Sequence, residues 1–311
     1  MHPGFKIFAG SSHPNLAKEI CNILGVQLGK ISIKKFSCGE IYINFDETIR
    51  GKKVFLIGTT RPGKIHHDFF EIFLLADAAR RSFAKSVHLI LPHLSYSRQD
   101  KIHAAREPIS AKLIAKLIET SGIDHLITLQ LHSDQNQAFF DIPVDNLSPR
   151  KIFADYFRQK KIKDLVVISP DVGGAKNAKK FADELGADLA ILHKSRPEHN
   201  KAEILEIIGN TKGKTPIIFD DMIDTGGSVC AAKKILTKNG NKEVFLCATH
   251  PILSGNAKEK LLAENFSEII FSSSIPLEKN NFPAKFISIA PLFSRVIENI
   301  LEKKSVSELY F

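Results

Sequence analysis

The chain contains 311 residues, enough for two ordinary domains with separate apolar cores. Hydrophobic residues make up 43% and charged residues 25% of it, which is typical of a globular protein and excludes a disordered, collagen-like or disulfide-scaffold protein. The formal charge of +9 is spread along the chain without a run of like charges, which favours a small phosphorylated ligand over nucleic acid.

Short β-rich runs alternate with helical patterns along the whole chain. Strands are predicted at residues 6–9, 54–59, 87–92, 125–131, 165–169, 189–193, 217–220, 244–249, 268–272 and 286–289. Helices are predicted at residues 15–24, 67–83, 109–120, 150–160, 175–185, 228–239, 257–264 and 292–303. Continuous apolar strands separated by helices predict an α/β fold, with mainly parallel sheets flanked by helices.

Two segments depart from this pattern. Residues 31–35 and 41–45 alternate apolar and polar side chains, as half-exposed antiparallel strands do, and Gly39 lies between them. They predict a hairpin, or flap, inserted into the first sheet. The halves of the chain carry similar strand–helix series on either side of a Pro-bounded turn near residues 145–149. We therefore expect two similar domains, 1–146 and 147–289, with the first joined by a carboxyl-terminal helix within 290–311.

Cysteine use and the amino terminus indicate a cytoplasmic protein. The four cysteines include no Cys-x-x-Cys pair, and no His cluster lies at zinc-finger spacing. The first residues lack the apolar stretch of a signal peptide. The most apolar segment, residues 69–79, is interrupted by Glu71 and Asp77 and is shorter than the roughly 20 apolar residues that span a bilayer. We expect reduced thiols and no membrane partner.

The segment at residues 216–228 carries the most chemistry. A buried strand ends in two carboxylates, Asp220 and Asp221, and a turn with Asp224, Thr225 and two glycines leads directly into a helix. The glycines allow backbone amides to approach a phosphate, and a helix amino terminus adds positive potential. Carboxylates at the carboxyl end of a parallel strand accept hydrogen bonds from sugar hydroxyls or bind magnesium. The simpler interpretation, a capped turn without a ligand, does not require two acids at the strand end.

This segment resembles the phosphoribosyl diphosphate (PRPP) signature of type I phosphoribosyltransferase folds. Within that superfamily the whole chain is similar to the ribose-phosphate diphosphokinase (PRPP synthetase) family. The segments that carry the resemblance, besides residues 220–228, are Phe36-Ser-Cys-Gly-Glu40, Ser97-Arg-Gln-Asp100, Arg106-Glu-Pro-Ile109, Leu129-Gln-Leu-His132, Phe139-Phe-Asp-Ile-Pro143, Ser169-Pro-Asp-Val-Gly-Gly174 and Lys194-Ser-Arg-Pro197.

The resemblance implies two phosphoribosyltransferase-like domains and a reaction of ATP with ribose 5-phosphate that yields PRPP and AMP. The first domain would bind ATP and the second ribose 5-phosphate, with Mg²⁺ as cofactor. It also implies a homo-oligomer, commonly a hexamer with active sites between subunits, and phosphate and ADP as regulators. Nucleic acid is not expected as a partner.

The resemblance also implies roles for individual residues. Lys194 and Arg196 are the expected catalytic residues, Arg196 also binds the sugar phosphate, and His132 and Asp171 hold the metal. The expected ATP contacts are Phe36, Cys38, Gly39, Glu40, Arg98, Gln99, Lys101 and His103. The expected ribose 5-phosphate contacts are Arg196, Asp220, Asp221, Asp224, Thr225, Gly226, Gly227 and Ser228.

Several positions differ from the family pattern. Cys38 replaces an acid in the adenine-side motif, and Gln130 replaces the acid two residues before His132. In the lid at residues 101–105, Ile102 and Ala104 occupy positions that are normally basic. Loss of one transition-state contact in such a lid costs on the order of 10²-fold in rate.

Two alternatives to the active synthetase follow. A phosphoribosyltransferase that consumes PRPP needs only one such domain and leaves Arg98, Gln99 and His132 without a task. A non-catalytic or weakly active regulatory homologue is favoured by Cys38, Gln130 and the depleted lid.

Overall fold

The computed structural model describes residues 4–195, 204–276 and 282–309. They form two compact units, Met1–Ser148 with Ser274–Pro276 and Ser288–Phe311, and Pro149–Ser273 with Leu277–Ile287. We call them unit 1 and unit 2. No helix in the described part of the chain is long and apolar enough to cross a membrane.

Unit 1 is built on a five-stranded parallel sheet. Its strands lie in the order β1-β4-β5-β6-β7. The strands are β1 (Phe5–Ala9), β4 (Lys53–Ile57), β5 (Ser86–Leu91), β6 (His125–Leu129) and β7 (Val144–Leu147). The helices of this unit are α1 (Pro14–Leu24), α2 (Ile65–Arg81), α3 (Ser110–Thr120) and α8 (Ala290–Glu302), and α8 packs against α1. The parallel sheet and its helices confirm the α/β prediction.

The hairpin prediction is half right. β2 (Ile31–Lys35) and β3 (Ile41–Phe45) pair antiparallel, as the alternation predicted. However, they form a separate two-stranded sheet and are not inserted into the first sheet. The apolar face of the hairpin packs on the core of unit 1 through side chains such as Ile43 and Phe45, with the Phe45 ring edge-on to Phe8 at 4.6 Å. Side-chain packing rather than strand pairing therefore attaches the hairpin.

Unit 2 contains a seven-stranded sheet in the order β10-β9-β8-β11-β12-β13-β14. Among the described strands of this sheet, only β10 is antiparallel to its neighbour. The strands are β8 (Leu165–Ser169), β9 (Asp188–Ser195), β10 (Ile204–Ile208), β11 (Thr215–Ile223), β12 (Phe245–Pro251), β13 (Glu268–Ser272) and β14 (Ala284–Ile287). The helices are α4 (Arg150–Lys160), α5 (Ala175–Leu185), α6 (Gly227–Lys238) and α7 (Ala257–Ala263). Clustered phenylalanines, including Phe153, Phe181 and Phe219, fill one side of this sheet in the absence of tryptophan.

Two strands, β7 and β10, were not predicted. β7 contains Asp145 and Asn146 between its two apolar ends, so its sequence lacks the run that marks a buried strand. The pentapeptide of β10, Ile-Leu-Glu-Ile-Ile, fits a helical period as well as a strand, and short apolar runs do not separate the two.

Buried His88, partly buried His125 and Asp145 connect three strands of unit 1 near their amino ends. His88 Nδ1 lies 3.1 Å from His125 Nδ1, and His125 Nε2 lies 3.1 Å from Asp145 Oδ2. Burial, followed by the nearby charges of His125 and Lys53, lowers the pKa of His88 to about 3. In the unfolded chain a histidine titrates near pH 6.5. Acid therefore favours the unfolded state as the pH falls from about 6.5 towards 3.

We expect His88→Gln to make the protein less sensitive to acid. Between pH 7 and pH 4 the wild type should lose on the order of 3 kcal/mol more unfolding free energy than the variant, because only the wild type takes up this proton on unfolding. Urea unfolding at the two pH values measures the difference. An equal loss in both proteins would show that His88 does not contribute to acid unfolding.

Candidate active site

The sheet of unit 2 has a reversal in strand order between β8 and β11. The chain leaves β8 towards β9 on one side, whereas β11 is followed by β12 on the other side. In open α/β sheets, ligands bind outside the carboxyl ends of the strands at such a reversal. Asp220 and Asp221, two acids predicted to bind ribose 5-phosphate, lie there in the carboxyl-terminal half of β11. Asp171, a predicted metal ligand, follows β8 at the same edge.

The carboxylates at this edge repel one another. Burial of the carboxyl group and the nearby charge of Asp221 raise the pKa of Asp220 well above its usual value, and the charge of Asp171 acts in the same direction. The Asp221 amide donates a hydrogen bond of 2.8 Å to Asp220 Oδ1, which offsets this only in part. Sugar hydroxyls or a divalent cation would relieve the repulsion, and the oxygen donors fit the preference of Mg²⁺.

The turn after β11 leaves backbone amides available to an anion. Gly226 has φ = 75°, a conformation that favours glycine, and α6 begins at the next residue. The amides of Gly226, Gly227 and Ser228 donate no hydrogen bond to any other described residue. A hydrogen bond of 3.0 Å from Ser254 N to the Asp224 carbonyl anchors this turn. These amides at the amino terminus of α6 suit a phosphate group.

The loop after β8 supports the same edge in a different way. The Gly174 amide donates a hydrogen bond of 2.8 Å to Asp171 Oδ1, so the Asp171 side chain closes its own loop. The Gly174 amide is therefore engaged within the protein. The Asp171 side chain is exposed, and its charge contributes to raising the pKa of Asp220.

Of the predicted catalytic residues, only Lys194 lies among the described residues. Its backbone belongs to β9, beyond Ile191, which pairs with the last residue of β8, Ser169. The Lys194 backbone is thus on the same edge of the sheet as Asp171. Arg196 lies outside the described residues.

In unit 1, the residues predicted to contact adenine form the tip of the hairpin. The Phe36 amide donates to the Glu40 carbonyl at 2.8 Å, and Gly39 N donates to the Phe36 carbonyl at 2.8 Å. Gly39 has φ = 102°, which a side chain disfavours. The Phe36 ring is 53% exposed, and Cys38 is exposed with a free thiol. A ring and a carboxylate at an exposed tip suit a base.

A cavity of about 520 Å³ adjoins the hairpin tip. It is lined by Gly39, Glu40, Ile41, His66, His67, Phe70 and Leu74. A second cavity of about 600 Å³ shares the two histidines and is lined by the cationic side chains of Lys35, Arg61 and Lys64. An apolar cavity beside a basic one is consistent with a phosphorylated ligand. Apart from Gly39 and Glu40, the residues that line these cavities were not predicted from the sequence, because they come from distant segments.

The segment that carries Arg98 and Gln99 is anchored at several points. The Thr60 hydroxyl accepts a hydrogen bond from Ser95 N at 2.9 Å. The Gln99 carbonyl accepts one from Ala111 N at 3.1 Å, and its side-chain oxygen accepts one from Ser110 Oγ at 2.6 Å. Arg98 and Gln99 themselves are exposed. Fixed backbone and exposed side chains are what a ligand-binding loop requires.

The lid at residues 101–105 is exposed and carries both of its predicted ATP contacts, Lys101 and His103. Glu107 accepts hydrogen bonds from the amides of His103 and Ala104, at 2.9 and 3.0 Å, which lowers the pKa of Glu107. The Ile102 side chain is 58% exposed. These contacts of Glu107 with the lid were not predicted. The sequence signal that could have indicated them is an acid four residues after His103 in a loop.

His132 lies in an exposed segment just beyond β6. The Asn146 side chain of β7 contacts a residue on each side of it: Oδ1 accepts a hydrogen bond from Leu131 N at 3.0 Å, and Nδ2 donates one to the Asp134 side chain at 3.2 Å. Gln130, at the position where the resemblance implies an acid, is 8% exposed and has φ = 44°. No group of three His, Cys, Asp or Glu side chains able to hold a metal occurs in the described ranges. His132 belongs to unit 1 and Asp171 to unit 2, and their role as a metal pair stays a prediction.

Comparison with known proteins decides the family. A model described as the N-terminal domain of ribose phosphate pyrophosphokinase matches residues 5–122, and one for the phosphoribosyl synthetase-associated domain matches residues 197–311. The ribose-phosphate pyrophosphokinase of Bacillus caldolyticus is 44% identical over 307 residues, covering 98% of this chain and 97% of that protein. The chain belongs to the ribose-phosphate pyrophosphokinase family.

Further relatives in this family agree over the full length. The ribose-phosphate pyrophosphokinase of Helicobacter hepaticus is 43% identical over 309 residues, which is 99% of both chains. The crystal structure of phosphoribosylpyrophosphate synthetase from Mycobacterium smegmatis matches with a TM-score of 0.90 and 37% identity, covering 96% of this chain and 99% of that one. The predicted family and fold class are confirmed.

Proposed function

We propose that the protein transfers the β,γ-diphosphate of ATP to the anomeric hydroxyl of ribose 5-phosphate and releases AMP and PRPP. The observation that carries the proposal is the edge of unit 2, where repelling acids lie beside available amides at the start of α6. A sugar that carries a phosphate complements both features at once. The full-length similarity to ribose-phosphate pyrophosphokinases supports the same reaction.

In this proposal unit 2 binds the sugar. Asp220, Asp221 and Asp224 accept hydrogen bonds from the ribose hydroxyls, and the amides and hydroxyls of residues 225–228 receive the 5-phosphate, with Arg196 as a further cation. Because the turn is anchored through the Asp224 carbonyl, binding requires little reordering. The anomeric hydroxyl is then held ready to attack the β-phosphorus.

Unit 1 binds the nucleotide. The hairpin tip, Phe36 to Glu40, contacts adenine, while Arg98, Gln99, Lys101 and His103 contact the remainder of ATP. Both substrates are polyanions, so cations must offset their repulsion before the reacting atoms meet. Lys194 carries the largest share, because it stabilises the charge on the transferred phosphates.

The acids fit a magnesium ion, which when bound would neutralise phosphate charge and help to position ATP. His132 and Asp171 are the proposed ligands. Burial, followed by the charge of Asp221, raises the pKa of Asp220, so a cation at this edge would favour its ionised form. A homohexamer regulated by phosphate and ADP belongs to the same proposal. So does a cytoplasmic location, which is consistent with four free cysteines.

A second candidate is a weakly active or regulatory homologue. The lid favours it, because Ile102 presents an exposed apolar side chain where the family resemblance implies a cation. Cys38 presents a thiol at the hairpin tip where the resemblance implies an acid. Such a protein would bind nucleotides and lack most of the transition-state stabilisation.

Phosphorus NMR of ATP, ribose 5-phosphate and Mg²⁺ with the protein distinguishes these functions. We expect AMP and PRPP to form in equal amounts. Product levels equal to those without protein would contradict the synthetase proposal and favour the regulatory one. Consumption of added PRPP only when a free base is present would instead identify a phosphoribosyltransferase.

A further inference from the structure

Asn136 is a buried amide that faces the ATP-binding segment. It lies in a 3₁₀ helix, Asp134–Phe139, that follows β6, and its residue is 1% exposed. Its Nδ2 atom donates a hydrogen bond of 2.8 Å to the Ser97 carbonyl, the residue directly before Arg98. Because a carbonyl only accepts, the orientation of the amide is fixed by this contact.

The side-chain oxygen of Asn136, in contrast to its nitrogen, forms no hydrogen bond with a described residue. Within the described part of the chain its Oδ1 atom is buried and has no hydrogen-bond partner. A buried polar atom without a partner destabilises the folded protein, so an apolar side chain of the same size would suit this position better if packing were all that mattered. The presence of an amide at position 136 therefore indicates that the hydrogen bond from Nδ2 to the Ser97 carbonyl has a role.

The hydrogen bond connects two segments of unit 1 that have different proposed tasks. Ser97 precedes Arg98 and Gln99, whereas Asn136 follows His132 by four residues. The His132 segment is anchored by the hydrogen bond from Leu131 N to Asn146. The Gln99 segment is anchored by the hydrogen bond from Ser110 to the Gln99 side chain. We propose that Asn136 is a positioning residue that sets the distance between the Arg98–Gln99 segment and the His132 segment. This rests on the proposed function, in which both segments act on ATP.

Two variants remove the donor in different ways. Asn136→Leu also removes the unpartnered oxygen, and Asn136→Asp keeps the shape but turns an acceptor towards the Ser97 carbonyl. The matched control is Asn241→Leu, because Asn241 of unit 2 is also buried, donates from Nδ2 to the carbonyls of Thr211 and Lys214, and has an Oδ1 atom without a described partner.

Steady-state kinetics and hydrogen exchange of residues 94–100 test the role. Both Asn136 variants should raise the KM for ATP about fivefold, as expected for one lost hydrogen bond, with the KM for ribose 5-phosphate unchanged. Their 94–100 amides should exchange faster than in the wild type. The Asn241→Leu protein should match the wild type in both measurements, although its stability changes.

Wild-type exchange in the Asn136 variants would overturn the proposal, and so would faster exchange with an unchanged KM for ATP in an active enzyme. If the wild type forms no PRPP, the proposed function fails. Exchange, together with the affinity for Mg²⁺-ATP by calorimetry, still tests the Asn136 contact: faster exchange and weaker binding support it, and wild-type values overturn it.

Discussion

Asp220→Asn is expected to stabilise the ligand-free protein at pH 8 and to weaken ribose 5-phosphate binding about 100-fold. Burial and the charge of Asp221 raise the pKa of Asp220. The wild type therefore loses stability as the pH rises from about 3.9, where the carboxyl ionises in the unfolded chain, towards the folded pKa. The amide cannot ionise, and its oxygen can still accept from Asp221 N. Two hydrogen bonds from sugar hydroxyls to a charged carboxylate, about 1.5 kcal/mol or more each, are weakened in the complex.

Thermal unfolding in metal-free buffer at pH 5 and pH 8, with calorimetric titration of ribose 5-phosphate, measures both effects. The gain in melting temperature should be larger at pH 8 than at pH 5. Asp183→Asn is the matched control, since Asp183 is an exposed acid of unit 2 that pairs with Lys179 on α5. Unchanged sugar affinity in Asp220→Asn would remove this acid from the binding site, and a lower melting temperature would show that its charge is stabilising.

The parts of the site that come from one continuous segment were predictable from the sequence. The strand, the two acids, the glycine turn and the start of α6 follow one another within residues 216–228, so local chemistry is enough to predict them. Gly226 illustrates this, because a left-handed residue directly before a helix favours glycine regardless of what surrounds it. The parallel strands other than β7 were predicted for the same reason, since most of them are continuous apolar runs.

Features that depend on distant residues were not predictable. Asn136 and Ser97 are 39 residues apart, and no pattern at either position shows that they meet. β7 forms because its polar residues find partners elsewhere, with Asp145 beside His125 and Asn146 holding Leu131. A one-dimensional pattern records apolar burial and turn chemistry, whereas these contacts depend on which strands become neighbours.

Lys194→Ala is expected to reduce kcat by on the order of 10² to 10³-fold and to leave ribose 5-phosphate binding within about twofold of the wild type. β9 runs parallel to β8, and Ile191 pairs with Ser169 at the end of β8. Three further residues place the Lys194 backbone roughly 10 Å beyond that level, on the edge that carries Asp171. In the proposed function, a cation at this position stabilises charge that develops on the transferred phosphates, whereas Asp220 and Asp221 bind the sugar.

A lower kcat with unchanged ribose 5-phosphate affinity would distinguish transition-state stabilisation by Lys194 from simple electrostatic attraction of the substrates. If Lys194 only attracted anions, its removal would raise the KM values of both substrates at low ionic strength, and added salt would erase the difference from the wild type. Transition-state stabilisation predicts a loss in kcat that salt does not restore. Lys212→Ala, at an exposed lysine of unit 2, controls for the loss of one positive charge and should retain wild-type kcat. A kcat within tenfold of the wild type in Lys194→Ala would assign the diphosphate contact to another cation.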